Sequence, residues 1–328
     1  MILIISNKED VHPTPVIDVL TRRGVPVFRL NTEALLTDYE FAWWGDSAHC
    51  DFHLKNIRNG LEVTGSDITA LWDRRPEKPE ELPLKSTPEI DSHNLSEALG
   101  FLVFLRYYLK DIPSIGSIVE DKVAASKMLQ HKVAQEAGFA VPETCYSNRK
   151  MPILDLASKH GNILLKSIEN GNVWQEESFL DYVFYAQRVP SGALSSIPDE
   201  AFSQTVSFAQ EYVEKAFELR VTVVGDKLFA CRIDSQAQDD DTGKIDWRQG
   251  YGQGIRWSRF DLPEDIAEKC LVFLKNMNLN FGCFDFIVSL SGEYVFLECN
   301  PNGQWLWVEI ETGLSISEAI AEWLAEKG

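Results

Sequence analysis

Residues 282–304 have the sequence GCFDFIVSLSGEYVFLECNPNGQ, and this stretch decides the fold of the second half of the chain. Two apolar runs flank a Ser-Gly pair, a pattern that predicts two β-strands joined by a tight turn. Asp285 interrupts the first run, and Glu298 and Asn300 end the second. Because side chains two apart in a strand share a face, Glu298 and Asn300 point the same way, and the hairpin is expected to fold Asp285 onto that face.

Two carboxylates and an amide oxygen that converge repel one another unless a cation lies between them. An all-oxygen ligand set suits Mg²⁺ better than zinc, and Mg²⁺ takes few protein carboxylates and shares substrate phosphates. The stretch therefore predicts a magnesium site with a nucleoside triphosphate nearby. The spacing alone also fits a structural hairpin with polar strand ends, so the rest of the chain must decide.

Composition excludes several classes of protein. The 328 residues leave room for two or three subdomains, and 45% apolar and 25% charged content is ordinary for a globular protein. The sequence contains no run of about 18 apolar residues, so no membrane span is predicted. The apolar N-terminus predicts a first strand, not a signal peptide. Six scattered cysteines without a CxxC pair fit a reducing cytoplasm, the expected location, and argue against structural zinc. A net charge of −19 disfavours nucleic acid and is compatible with a basic peptide partner.

The N-terminal part begins with a strand–helix–strand pattern. A strand over 2–5, a helix over 14–23 and a strand over 25–30 predict a small parallel sheet. No glycine-rich loop follows the first strand, so no dinucleotide site is predicted. Further along, Arg74 and Arg75 follow a short apolar run, where they would hold a phosphate or carboxylate or form structural ion pairs.

The remaining elements are predicted from periodicity and turn residues. They are a hairpin at 59–60, a helix over 91–109 capped by Ser92, a helix over 121–138, strands over 163–165, 182–189, 205–213, 217–224 and 228–233, and helices over 263–276 and 315–325. Residues 191–200 are predicted as a polar turn and 235–254 as a long, mobile, functional loop. Its Asp triplet at 239–241 is either a metal site or a solvated loop. Lys166 follows a buried strand, where a lysine is costly unless it meets an anion or reaches solvent.

This order of residues resembles the ATP-grasp ligase superfamily over about 116–328, and the whole chain resembles its microviridin-type, or graspetide, peptide maturases. The motifs that carry the resemblance are WDRRP at 72–76, ELRVTVVG at 218–225, IDSQ at 233–236, DWR at 246–248 and NPNGQW at 300–305. The resemblance implies a mixed α/β and α+β architecture, an ATP-grasp fold with an N-terminal parallel-sheet (pre-ATP-grasp) domain. It implies domains over 1–115 and 116–328, the second divided into a central subdomain over 116–210 and a C-terminal subdomain over 211–328.

The resemblance also implies an activity. Graspetide maturases use ATP and Mg²⁺ to activate Asp or Glu side chains of a ribosomal precursor peptide as acyl phosphates. They then join the acyl group to Ser or Thr hydroxyls or to a Lys amine, and they release ADP and phosphate. A homodimer is common in this family. Asp199 and Glu200, with the strand at 182–189, would either attract a basic residue of the peptide's leader segment or cap a turn.

The resemblance assigns roles residue by residue. Phosphate contacts are expected from Lys127 and Lys166, adenine contacts from Glu211 and Val213 with main-chain groups at Tyr212, ribose contacts from Glu218, magnesium ligation from Asp285, Glu298 and Asn300, and contacts to the γ-phosphate and acyl group from Arg220 and Arg232. No Ser-His-Asp or Cys-His pattern competes for the chemistry. Two alternatives remain open: an ATP-grasp ligase for free amino acids, small peptides or a protein C-terminus, and a nucleotide-binding regulator that ligates nothing.

Overall fold

The first strand of the chain lies inside a parallel sheet, as its apolar sequence predicts. The computed structural model describes residues 1–116, 118–169, 172–173, 182–237, 241–250 and 254–328. The N-terminal part contains β1 (Ile2–Ser6), α1 (Pro13–Arg22), β2 (Val27–Asn31), α2 (Leu35–Asp38), β3 (Tyr39–Gly45), β4 (Cys50–Asn56), β5 (Glu62–Thr64), β6 (Ala70–Asp73), α3 (Pro88–Tyr108) and β7 (Ser114–Ile115). Parallel strands β2, β1, β6 and β7 form one sheet in that order, which confirms the strand–helix–strand prediction.

The central part is built on a four-stranded antiparallel sheet. It contains α4 (Ile118–Ala124), α5 (Lys127–Glu136), β8 (Thr144–Ser147), α6 (Lys150–His160), β9 (Asn162–Lys166), β10 (Asn172–Val173), β11 (Tyr182–Val183), β12 (Gln187–Pro190), α7 (Ser191–Ser195), α8 (Asp199–Ser203) and β13 (Ser207–Glu211). The sheet order is β12-β9-β13-β8, so β12 is an edge strand, and β10 and β11 form a separate pair.

The C-terminal part is built on a five-stranded antiparallel sheet. It contains β14 (Lys215–Val224), β15 (Lys227–Ile233), α9 (Asp241–Ile245), β16 (Trp257–Arg259), α10 (Glu264–Asn276), β17 (Phe281–Ser289), β18 (Tyr294–Asn300), α11 (Leu306–Thr312) and α12 (Ile316–Lys327). The sheet order is β16-β15-β14-β17-β18, and the β17–β18 pair is the hairpin predicted from the opening stretch. Parallel and antiparallel sheets in one chain confirm the mixed α/β and α+β architecture.

Several predicted elements differ in detail from the structure. The helix expected over 121–138 is two helices, and the strand expected over 182–189 is two short strands in different sheets. The long helix α3 begins after Thr87, whose Oγ1 accepts a hydrogen bond from the Ile90 amide, and not at Ser92. The polar turn at 191–200 contains two short helices, because Ser, Asp and Pro start helices as readily as they form turns.

Apolar side chains join the N-terminal and C-terminal parts in one core. Ile2 and Ile4 on one face of β1 pack with Ile320 and Leu324 of α12 and with buried Trp305. The opposite face of the parallel sheet packs against α3. The chain's last helix therefore covers its first strand, and the domain divisions after residues 115 and 210 stay predictions. Among the described helices, none has the length and apolar content needed to cross a membrane.

Arg74 joins the end of β6 to the segment that follows β18 through hydrogen bonds. Its side chain is fully buried, and Nη1 donates to Asn302 O at 2.7 Å, to Asn302 Oδ1 at 2.7 Å and to Gly303 O at 3.0 Å. Its Nε lies 3.3 Å from Asp10 Oδ2. Arg74 is therefore the structural ion-pair residue that the sequence left as one alternative.

We expect Arg74→Ala to lower the free energy of unfolding by about 3–5 kcal/mol, because a buried carboxylate and several buried carbonyls lose their partner. Urea denaturation followed by circular dichroism measures this loss. Arg22→Ala, at an exposed position of α1, should change stability by less than about 0.5 kcal/mol. Equal denaturation midpoints for the Arg74 variant and the unmodified protein would contradict this role.

Candidate active site

A cavity of about 720 Å³ opens where the three parts of the chain meet. Its walls come from the end of β6, from α4 and α5, from the central sheet and from one face of the C-terminal sheet. The predicted residues that line it are Lys127, Lys166, Glu218, Arg220, Asp285, Glu298 and Asn300. The cavity is large enough for a nucleotide, since ligand pockets span about 300–1,000 Å³.

Strand pairing brings the three oxygen-bearing side chains together. Asp285 of β17 lies directly opposite Glu298 of β18, and Cys283, two residues before Asp285, lies opposite Asn300. Directly opposed residues of an antiparallel pair point to the same face. On the other side of β17, Arg220 of β14 lies opposite Asp285. The sequence prediction that these side chains meet is thus confirmed, and their role as metal ligands stays a prediction.

The donor set fits a hard divalent cation. Asn300 Nδ2 lies 3.4 Å from Asp285 Oδ2 and 3.4 Å from Glu298 Oε1. Asp285 Oδ1 is buried and has no hydrogen-bond partner among the described residues. An oxygen in this state is open to a metal ion, and half a turn of the Asn300 amide presents a third oxygen. Two carboxylates and one amide oxygen are ligands that Mg²⁺ accepts.

Two cations neutralise the facing carboxylates. Arg220 Nη1 donates to Asp285 Oδ2 at 2.8 Å, and Lys127 Nζ donates to Glu298 Oε2 at 2.9 Å. Burial raises the pKa of Asp285, and the Glu298 charge raises it further against the lowering by Arg220. Burial would also raise the pKa of Glu298, but Lys127 and other nearby cations outweigh it and hold that pKa below its ordinary value. Asp285 therefore takes up a proton more readily than an ordinary Asp, whereas Glu298 keeps its negative charge.

A break between α4 and α5 places the Lys127 side chain next to Glu298. Ser126 has an extended backbone, with φ −65° and ψ 106°, so α5 starts afresh at Lys127. Buried Gln130 fixes the break, since its Nε2 donates to the carbonyls of Ala124 at 2.6 Å and of Cys299 at 2.7 Å. Its Oε1 accepts from the Cys299 amide at 2.8 Å. One continuous helix could not place Lys127 this way, and periodicity alone does not reveal a two-residue break.

Lys166 ends β9 at the opposite wall of the cavity. Its Nζ donates to Gln210 Oε1 at 2.6 Å and lies 5.8 Å from the ring centre of Phe208. Burial lowers the pKa of Lys166 to about 8, with Lys127 lowering it and Glu298 raising it. A lysine kept in this state gains its full charge when an anion arrives.

Glu218 belongs to a buried network that the sequence analysis missed in part. Its Oε1 accepts from Lys215 Nζ at 2.7 Å and from Ser235 Oγ at 2.8 Å. Lys215 Nζ also donates to the Ile245 carbonyl at 3.0 Å, and Lys215 lines the cavity. The sequence did contain a signal for this network, because Lys215 precedes Glu218 by three residues in a strand that must be buried.

The described residues of the polar stretch at 235–254 include a short helix, which corrects its prediction as one long loop, and the mobility and function predicted for it stay predictions. Asp241 begins α9, whereas the rest of the Asp triplet, Asp239 and Asp240, lies outside the described residues. Arg248 also lines the cavity, and its Nε and Nη2 donate to Asp246 at 2.8 and 2.7 Å. These hydrogen bonds raise the pKa of Arg248.

An aromatic cluster fixes the segment that bears Arg248. Trp247 packs on Trp257 and Trp307, with ring centres 5.3 and 5.2 Å away. Arg248 belongs to the DWR motif at 246–248, and no role was predicted for it from the sequence. Large aromatic side chains beside a charged pair were the signal that a rigid segment forms there.

Four predicted site residues do not line the cavity. Arg232 lies opposite Leu219, so it points to the other face of the sheet from Arg220, and its guanidinium stacks 3.9 Å from the ring centre of Phe217. Glu211 Oε2 lies 3.2 Å from His160 Nδ1. The remaining two are Tyr212, whose ring stacks on Arg188, and Val213. The side-chain roles predicted for Arg232, Glu211 and Val213 therefore have no support from the lining of the cavity, and the main-chain contact predicted at Tyr212 stays a prediction.

We expect Glu298→Gln to weaken Mn²⁺ binding by at least about 10-fold in the presence of ADP, because one of two charged ligands is lost. Electron paramagnetic resonance of Mn²⁺, used in place of Mg²⁺, measures this. Glu293→Gln in the exposed turn of the same hairpin serves as the matched control and should bind Mn²⁺ normally. Unchanged Mn²⁺ affinity in the Glu298 variant would refute the metal site.

We also expect ATP affinity to fall as the pH rises from 7 to 9, because Lys166, with a pKa of about 8, loses its proton in this range. Phosphate favours the charged lysine, so binding above pH 8 requires proton uptake. Isothermal titration calorimetry in buffers of different ionisation enthalpy measures that proton. Lys166→Arg should remove the pH dependence, and an equal decline in both proteins would exclude Lys166 as its source.

Comparison with known proteins gives matches among solved structures. No protein-family model matches the chain, and no curated protein sequence does. The RiPP-associated ATP-grasp ligase of Chryseobacterium gregarium, solved with ADP and a leader and core peptide, is 26% identical over 100% of this chain and 97% of that one, with a TM-score of 0.87. Macrocyclase MdnC of Microcystis aeruginosa MRC, bound with precursor peptide MdnA, is 24% identical over 99% of both chains, with a TM-score of 0.82. Macrocyclase MdnB from the same organism is 25% identical over 98% of both chains, with a TM-score of 0.76. The fold, the cavity and this full-length likeness identify the chain as an ATP-grasp ligase similar to RiPP-associated ligases and macrocyclases.

Proposed function

We propose that this chain is an ATP-dependent peptide macrocyclase. It activates Asp or Glu side chains of a ribosomal precursor peptide as acyl phosphates and joins them to Ser or Thr hydroxyls, or to Lys amines, with release of ADP and phosphate. The single observation that carries the proposal is the cavity in which Asp285, Glu298 and Asn300 meet Lys127 and Arg220. The likeness to a ligase solved with ADP and with leader and core peptides supports the same reaction and the same co-substrate.

The nucleotide is expected to span the cavity between its two lysines. Lys127 and Lys166 would bind phosphate oxygens as point charges, and Glu218 would accept hydrogen bonds from the ribose hydroxyls. Phe208 lines the same wall as Lys166 and offers an apolar surface. The adenine contacts predicted for 211–213 would come from main-chain groups, because the Glu211 side chain is engaged with His160.

Asp285, Glu298 and Asn300 would hold Mg²⁺, which supplies positive charge where phosphate oxygens and an incoming carboxylate repel each other. Arg220 lies beside this position, with 7% of its surface exposed and Asp285 as its partner. A buried guanidinium in this place stabilises the negative charge that develops on the acyl oxygen.

The chemistry follows from leaving-group ability. A hydroxyl cannot displace oxide from a carboxylate, so one carboxylate oxygen first attacks the γ-phosphorus, and the bond from that phosphorus to the β-bridging oxygen breaks. ADP leaves, and an acyl phosphate remains. A hydroxyl or amine then attacks the acyl carbon, phosphate departs with the carboxylate oxygen, and the nucleophile loses its proton. An ester or an amide results.

The peptide's leader segment has a predicted docking region on the central part of the chain. Asp199 begins α8 and lies 3.4 Å from Lys150 Nζ, yet 81% of its side chain is exposed. Nearby β12 is an edge strand among the residues that the structure describes, and edge strands offer backbone groups with which another chain can pair. Glu200 and the 182–189 region, whose last strand is β12, stay predicted contacts to a basic leader residue.

Homodimer formation also stays a prediction, and one exposed surface supports it. Phe41, Trp43 and Trp44 on edge strand β3, with Val103 and Tyr107 on α3, are each at least 36% exposed. Exposed aromatic side chains concentrated on an edge strand favour an interaction surface there. The absence of a nucleic acid partner and the cytoplasmic location stay predictions from charge and cysteine content.

We expect purified protein to release ADP only when ATP, Mg²⁺ and its precursor peptide, to be sought as a short Ser/Thr- and Glu/Asp-rich reading frame near the gene, are all present. Mass spectrometry should show that the peptide loses one water for each ring. Glu298→Gln should lower this rate by at least about 100-fold without loss of thermal stability, whereas Glu293→Gln should not.

Two results would contradict the macrocyclase. Turnover with free amino acids or small peptides and no precursor would instead indicate a carboxylate–amine ligase. ATP binding without ADP release, whatever peptide is offered, would indicate a regulator. Hydroxylamine added during turnover should divert the acyl phosphate to a hydroxamate, which tests the intermediate directly.

We expect Trp43→Glu to shift any dimer toward monomer, because a charge in an apolar contact must be desolvated. Multi-angle light scattering at several protein concentrations measures the mass. Lys85→Glu, at an exposed position outside this surface, is the control for added negative charge. Identical masses for the Trp43 variant and an unmodified dimer would exclude this surface.

A further inference from the structure

The cations that line the cavity fall into two groups. Four have a carboxylate partner, in the pairs Lys127–Glu298, Lys215–Glu218, Arg220–Asp285 and Arg248–Asp246. Arg75, Lys122 and Lys166 have no carboxylate partner among the described residues. A substrate acid that enters this acidic cavity needs a positive charge that is not already neutralised.

Position separates these three cations. Lys166 belongs to the nucleotide end of the cavity, beside Phe208. Lys122 and Arg75 are both exposed, but Lys122 lies on α4 and so away from the edge of the parallel sheet. Arg75 follows the carboxyl end of β6 in the parallel sheet, which is the edge at which such sheets bind ligands. Arg75 therefore lies at the end of the cavity that the N-terminal part contributes.

The backbone at Arg75 is held in an unusual conformation. Its φ is +46°, a left-handed value that non-glycine residues seldom adopt. The Asn7 side chain fixes the turn, since Nδ2 donates to the Arg75 carbonyl at 2.7 Å. This turn sends Arg74 into the core and Arg75 into the cavity. Strained backbone of this kind is concentrated at ligand sites, where the side chain's direction matters.

We propose that the Arg75 guanidinium binds the side-chain carboxylate of the peptide residue that is to be activated. The proposal rests on the function proposed above and names the residue that recognises its substrate acid. A guanidinium matches a carboxylate with two parallel hydrogen bonds, which a lysine cannot supply. It also offsets the repulsion between the incoming acid and the Asp285–Glu298 pair.

The test measures whether Arg75 recognises the acid itself. Fluorescence anisotropy with MgADP present would follow a fluorescein-labelled form of the precursor peptide used in the turnover assay, with either Glu or Gln at the position whose side chain is to be activated. The unmodified protein should bind the Gln peptide at least about 10-fold more weakly. Arg75→Ala should bind both peptides equally weakly, because the partner of the carboxylate is gone.

Further variants separate recognition from folding. Arg75→Gly removes the guanidinium and relieves the positive φ, so it should lose the Glu preference while keeping or raising the melting temperature. Arg75→Lys keeps the charge but not the fork, and it should recover part of the preference. Lys78→Ala, an exposed cation in the same loop, is the matched control and should behave as the unmodified protein.

Three results would overturn the proposal. The loss of peptide affinity on replacing Glu by Gln could be the same in Arg75→Ala as in the unmodified protein, or it could disappear in Lys122→Ala but not in Arg75→Ala. The third result is an Arg75 variant that binds ATP more weakly but binds ADP and the peptide normally. The last would assign the guanidinium to the γ-phosphate. An Arg75-dependent Glu preference without any ring formation would support this proposal and count against the macrocyclase alone.

Discussion

Two carboxylates that face each other across one strand pair impose the constraint to which the rest of the site responds. Two unit charges about 4 Å apart repel by about 4 kcal/mol at the effective dielectric constant of a protein surface. Asp285 and Glu298 are held opposite each other by β17 and β18, so they cannot move apart. Arg220 forms an ion pair with Asp285, and Lys127 forms one with Glu298, so each cation offsets part of this repulsion. A divalent ion between them would relieve the same repulsion.

The C-terminal sheet makes this arrangement possible because its two faces differ. Leu219, Phe284 and Phe286 point to one face and pack with α10 in an aromatic core, and the alternate residues point to the cavity. The buried face supplies the stability that lets the other face carry charge. Most cavity cations are already paired with carboxylates in the protein alone. Binding of an anionic nucleotide therefore exchanges partners, and it does not uncover isolated charges.

Neighbouring residues of one type have different fates in this chain, and the reason is geometric. Arg74 is buried and Arg75 lines the cavity because Arg75 itself adopts a left-handed backbone conformation. Arg220 and Arg232 lie on adjacent strands, but register places Arg232 opposite Leu219 and so on the other face. Residue type predicts what a side chain can bind, whereas register and turn geometry decide whether it reaches the site.

The sequence by itself determined the strand–helix–strand start, the late hairpin and the meeting of Asp285, Glu298 and Asn300, because period-two alternation and turn residues act over a few positions. It also placed Lys166 at the end of a strand. Tertiary structure alone decided the helix break that aims Lys127, the burial of Lys215 beside Glu218, and the separation of Arg74 from Arg75 and of Arg232 from Arg220. Those features depend on contacts between segments far apart in the chain, such as Gln130 with Cys299 and Arg74 with Asn302, and no local pattern encodes such contacts.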